Sequence, residues 1–142
     1  MERIFEEGAY VIKAIYANLV VSDLARSRKF FEDIGFSFNP KFTNEQAAAL
    51  IISENIVAML HTGDSIKRFT KKEIVDAKKS TEVLLALQVQ TRDEVDHLME
   101  KALSVGGNEQ RDPESYEFMY ARAFEDLDHH IWEVFWMNPE LM

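Results

Sequence analysis

The chain contains no cysteine among its 142 residues, which excludes disulfides, thiolate zinc sites, iron-sulfur clusters and a cysteine nucleophile together. Glycine is scarce, at five residues, and no Gly-rich phosphate loop, HExxH, GxSxG or EF-hand pattern occurs. Nucleotide chemistry is therefore not expected. Apolar runs such as Ala47 to Ile52 fall far short of the ~20 residues that a membrane span needs. The stretch Met1 to Gly8 carries three Glu and no apolar segment, so no secretory leader is expected, and the expected location is cytoplasmic. Basic side chains are outnumbered, 16 Lys and Arg against 25 Asp and Glu, for a net charge of -9. Such a surface repels a phosphate backbone, and neither nucleic acid nor membrane is an expected partner.

What is present suffices for one folded unit spanning residues 1–142. Hydrophobic residues make up 46% and charged residues 29%, enough to bury a core and stay in solution. Ala14 to Val21 is rich in β-formers and is followed by Ser22-Asp23, a helix N-cap pair. Leu24, Phe30, Phe31 and Ile34 then line one stripe of a helix that Gly35 ends. Phe36 to Phe42, Ala47 to Ile52 and Ile56 to His61 read as three short strands. The first half, about 14–62, is β-α-β-β-β.

The same grammar repeats over about 82–137. Glu82 to Val89 reads as a strand, Thr91 and Glu94 form a capping box, and Val95, Leu98, Met99, Ala102 and Val105 recur at helical spacing before Gly106-Gly107. A polar stretch, Asn108 to Glu117, holds at most a short edge strand. Phe118 to Phe124 and Ile131 to Met137 follow as strands. Superposing Val21 on Val89, an offset of 68, puts Tyr16 on Leu84 and Asn18 on Ala86. The expected fold is α+β: two βαβββ modules whose curved mixed sheets surround a shared cleft, with helices outside. Between them, Ser65 to Thr81 contains a second capping box, Thr70 and Glu73, which predicts a short connector helix. It carries Lys67, Arg68, Lys71, Lys72, Lys78 and Lys79, which reads either as a solvated linker or as a lid attracting an anionic ligand.

At this point a resemblance enters. IYANLVVSDLARSRKFFEDIGFSF resembles the first strand and helix of the vicinal oxygen chelate superfamily, and FMYARAFEDLDHHIWEV resembles its last two strands. That superfamily includes glyoxalase I, extradiol dioxygenases, fosfomycin-resistance enzymes and bleomycin-sequestering proteins. The resemblance implies paired βαβββ modules, frequent pairing as dimers, and, in the metal enzymes, a divalent ion on inward-facing His and Glu side chains of equivalent strands. At those positions this chain carries Tyr16, Leu84, Met59 (or Ala58, one residue away) and Glu133. One carboxylate does not make a site that wants several oxygen or imidazole ligands. No metal cofactor is therefore expected. The alternative is a displaced set, Glu133 with His61, for Zn, Ni, Mn or Fe.

Glu133 interrupts the apolar run Ile131 to Trp136, and a buried carboxylate needs a partner or a task. Arg122 on the neighbouring strand supplies a structural partner, while binding or proton transfer supplies a task. His61 shares a strand face with Met59 and reads as a core residue or as a cleft ligand. His130 reads as structural, and His129 stands where relatives carry glycine, at a turn that favours positive φ. The expected ligand-binding set is Tyr16, Asn18, Met59, His61, Gln88, Tyr120, Arg122 and Glu133. Three functions follow: a small-molecule-binding protein with a degenerate metal site, a metal-dependent lyase, isomerase or dioxygenase, or a structural or regulatory homodimer in which Trp132, Trp136 and Met137 serve an interface.

Overall fold

A computed structural model describes residues 10–141. Met1 to Gly8, where no leader is expected, lies outside the described residues. The first module runs β1 (Ile15–Val20), α1 (Leu24–Ile34), β2 (Ser37–Asn39), β3 (Ala47–Ser53) and β4 (Ile56–His61). Asp23 caps α1 by accepting the Arg26 amide at 3.0 Å, and Gly35, at φ +127°, closes it in a conformation that favours glycine. β2 is shorter than the expected Phe36 to Phe42, because Pro40 opens a 3-10 turn through Phe42.

After α2 (Gly63–Ile66), the second module runs β5 (Leu84–Gln88), α3 (Arg92–Ser104), β6 (Asn108–Glu109), β7 (Glu114–Ser115), β8 (Met119–Glu125) and β9 (Ile131–Met137). Thr91 caps α3 by accepting the Glu94 amide, as the capping box predicts. The connector differs from expectation. Its helix is α2, capped by Thr62, and no helix forms between Thr70 and Thr81. Thr70 and Asp76 bend the chain instead, accepting the amides of Lys72 and Lys78 two residues on. Such local turns compete with helix for the same backbone donors.

The repeat is legible in the sheets. Their orders are β1-β4-β3-β2 and β5-β9-β8-β6, with β7 also on β8, so each strand of one module has a counterpart in the other. In both, the first strand pairs in parallel with the last. Each helix covers one face of its sheet, and α1 also touches α3. A single core results: Leu19, Leu50 and Leu60 of one sheet and Phe124, Trp132 and Val134 of the other join Phe30, Phe31, Val95 and Met99 from the helices. Phe31 meets Trp132 edge-on at 5.3 Å between ring centroids, which ties the modules together. Trp132 is thus core, and no interface role remains for it. Among the described residues no helix is long and apolar enough to cross a membrane.

Candidate functional site

Strand alternation and register decide which side chains face away from the helices. On the first sheet these are Tyr16, Asn18, Met59 and His61, since Asn18 is paired with Met59 and both lie opposite to the buried Leu19 and Leu60. On the second sheet they are Leu84, Ala86, Gln88 and Glu133, with Ala86 paired to Glu133. Met59 and Glu133 thus occupy equivalent positions in the two modules, and the alternative position, Ala58, belongs to the core. Tyr16 and Leu84 are open to solvent, at 54% and 46% exposure.

Tyr120 and Arg122 stand on the other side. Arg122 pairs with Val134 and Tyr120 with Trp136, so both share the helix-facing side with Trp132. Arg122, only 7% exposed, donates to Glu109 through Nε at 2.9 Å and Nη2 at 2.8 Å. Its Nη1 reaches Asp96 at 2.8 Å and Glu100 at 3.2 Å on α3. The expected Arg122–Glu133 pair does not form, because a one-residue difference in register separates the two faces. Glu133 faces Arg111 instead, at 3.5 Å. Tyr120 donates its hydroxyl to Asp96 at 2.6 Å, and burial followed by that bond raises its pKa.

His61 is a satisfied histidine. Only 4% exposed, it donates from Nε2 to Asn18 Oδ1 at 2.8 Å and accepts the Ser65 hydroxyl at Nδ1 at 2.9 Å. Burial, followed by the nearby charge of Arg68, lowers its pKa, which keeps the ring neutral. Both ring nitrogens are hydrogen-bonded to protein side chains. At the positions that the resemblance assigns to a metal, Tyr16, Leu84 and Met59 carry no imidazole or carboxylate, and Glu133 faces Arg111. Among the described residues no group of three or more His, Asp or Glu side chains is placed to hold an ion.

A cavity of about 650 Å³ lies at the seam of the modules. Its walls are the end of β1 and the two residues after it, Asn18 to Ser22, the connector, the start of β5, and the turn and strand start at Asp128, His130 and Ile131. Asn18 is the one member of the expected ligand set on its wall, and Lys72 the one member of the basic connector group. His130 reads as structural from the sequence, and in the turn it forms a closely bonded titratable pair with Asp126. His129 holds φ at +69°, as a position suited to glycine would, and its ring bonds Glu125 at 3.0 Å. This lets Asp126, 3% exposed, accept His130 Nδ1 at 2.8 Å, the Trp132 indole at 2.9 Å and the amides of Asp128 and His130. The spacing Asp126, His130, Trp132 was the signal available in the sequence.

Two sheets of equivalent strand order, each backed by a helix, define a protein of paired βαβββ modules. Solved structures share that fold. Hypothetical protein SA1046 from S. aureus is 25% identical, with a TM-score of 0.74 over 89% of this chain and 95% of that one. A glyoxalase-related enzyme from Fulvimarina pelagi is 23% identical, with a TM-score of 0.75 over 91% and 90%. A fosfomycin resistance protein from Mesorhizobium loti is 16% identical, with a TM-score of 0.66 over 93% and 98%. Residues 13–53 match the family described as bleomycin resistance protein-like N-terminal. The chain thus shares its fold with structures of the glyoxalase/bleomycin resistance/dioxygenase kind, and its first module matches a bleomycin resistance-like family. No curated protein sequence matches it.

Proposed function

We propose that the chain is a cytoplasmic small-molecule-binding protein that works without a metal ion. The observation that carries this reading is the seam cavity, whose volume of about 650 Å³ falls in the range of small-ligand sites, roughly 300–1,000 Å³. Its lining combines apolar side chains, including Val20, Ile66, Val75, Leu85 and Ile131, with as many polar ones, among them Lys72, Glu73, Asp76 and Glu82, which suits a ligand that is apolar in the main and carries polar groups. The donor set supports the metal-free part: Tyr16, Leu84 and Met59 offer little to a divalent ion, and Glu133 is engaged by Arg111. Homodimer formation is part of the same reading, because Tyr16, Ile51 and Leu84 leave apolar side chains exposed on the faces opposite to the helices.

Thermal shift and native mass spectrometry against a metabolite panel test the ligand, which must raise stability by mass action. The expected result is a stabilising compound whose effect is lost when Val83→Trp fills the cavity. Silence across the panel refutes the reading. Elemental analysis of protein purified without chelator is expected to find far less than one Fe, Mn, Ni or Zn per chain. Light scattering is expected to give twice the chain mass.

A further inference from the structure

We propose that Asp126 and His130 form a general-base pair that takes a proton from a small, mostly apolar, weakly acidic molecule held in the seam cavity. The inference rests on the cavity being a ligand site. Asp126 is buried, and its carboxylate is aimed by the Trp132 indole and the amides of Asp128 and His130. A carboxylate only accepts hydrogen bonds, so His130 Nδ1 carries a proton toward it at 2.8 Å. The basic lone pair then resides on Nε2, which has no protein partner among the described residues, on a ring that lines the cavity. His61, by contrast, spends both nitrogens on the protein.

The charges around the ring favour its protonated form. Asp126 and Asp128 come from its own turn; the connector across the cavity adds Glu73, Asp76 and Glu82, with Lys72 acting in the opposite sense. Burial alone would lower the pKa of His130, but the bond to Asp126 and the charges of Asp126 and Asp128 outweigh it and raise the value above the ordinary one. In the step itself, the acidic X–H bond of the ligand breaks, the proton goes to Nε2 and the electron pair stays on the ligand. The imidazolium that forms remains hydrogen-bonded to Asp126, which positions it.

Elimination of a nitrobenzisoxazole by the full chain tests this. The base removes the ring C–H proton, the electron pair forms the nitrile, and the N–O bond breaks to release a nitrophenolate followed by its absorbance. We expect a saturable rate that rises with pH through the His130 pKa and falls by about 100-fold or more in His130→Gln with KM retained. Asp126→Asn is expected to move the pH profile to lower pH, a change that a merely structural role would not cause. Circular dichroism melts check that both variants fold. A His130→Gln rate equal to wild type, with saturation still abolished by Val83→Trp, overturns the base and leaves the cavity reading standing. An unsaturable rate indifferent to Val83→Trp overturns both.

Discussion

Arg122→Met removes the cation from a cluster of carboxylates while keeping an apolar stem of similar length. In the wild type the guanidinium makes a two-pronged contact with Glu109 and single contacts with Asp96 and Glu100. Asp96 and Glu100 are mostly exposed, at 52% and 68% of their side chains, so their pairs are screened and contribute well under 1 kcal/mol each. The Glu109 contact is better shielded, and charge-assisted bonds of this kind contribute roughly 1.5–3 kcal/mol. The expected loss is about 3 kcal/mol at neutral pH, a fall of roughly 6–12 °C in Tm for a chain of this size. Urea unfolding followed by circular dichroism measures it. The pH dependence adds a second check. Burial favours the neutral form of Asp96, but hydrogen bonds from Tyr120 and Arg122 and the Arg122 charge lower its pKa below the usual 3.8. A lowered carboxylate stabilises the fold above its unfolded value and ceases to do so as pH falls through the folded one. The gap between wild type and variant should therefore narrow below about pH 4. A loss under about 1 kcal/mol, or a gap that stays constant on acidification, refutes the assignment of Arg122 as a charge anchor between β8 and α3.

Three further outcomes are expected. Phe31→Ala opens a hole where the modules meet and should cost about 3–5 kcal/mol in chemical denaturation, with a coupling to Trp132→Leu of roughly 0.5–1.5 kcal/mol in a double-mutant cycle; additive losses would disprove the contact. His61, with its pKa lowered, gives stability that is complete above the unfolded value of 6.5 and is lost as pH falls below it, whereas His130, with its pKa raised, gives stability that is lost as pH rises through its folded value. Urea midpoints between pH 5 and 8 should thus flatten on the acid side in His61→Gln and on the alkaline side in His130→Gln, and identical slopes in both variants would contradict the two environments. Thr91→Ala deletes the α3 cap and should cost about 1 kcal/mol; no change in the denaturation midpoint would show that the cap bond adds nothing.

Much of the fold was legible because local signals agreed with one another. Asp23 and Thr91 cap helices where the residues predict, Gly35 stops the first, and the alternation of Trp132, Glu133, Val134 assigns the faces of β9. The connector misled because Thr70 and Glu73 meet the spacing of a capping box, while no apolar stripe follows to reward a helix with burial. Thr70 then has a nearer donor in the Lys72 amide.

The candidate site was harder to read, and the difficulty is one of register. Alternation within β8 groups Tyr120 with Arg122, but whether they face Glu133 or the helices depends on how β8 aligns with β9, which no feature of either strand alone reveals. The turn decides it. Glu125 pairs with Ile131 across five residues, Asp126 to His130, so Ala123 stands opposite to Glu133 and Arg122 opposite to Val134. That alignment is held by Asp126, which bonds residues two, four and six positions ahead of it. The side chain that sets the register of the last hairpin is therefore the one that orients His130 at the cavity. A substitution that slackens the turn should disturb both the strand faces and the cavity wall, which is why conservative variants such as Asp126→Asn separate the two roles better than truncation to alanine.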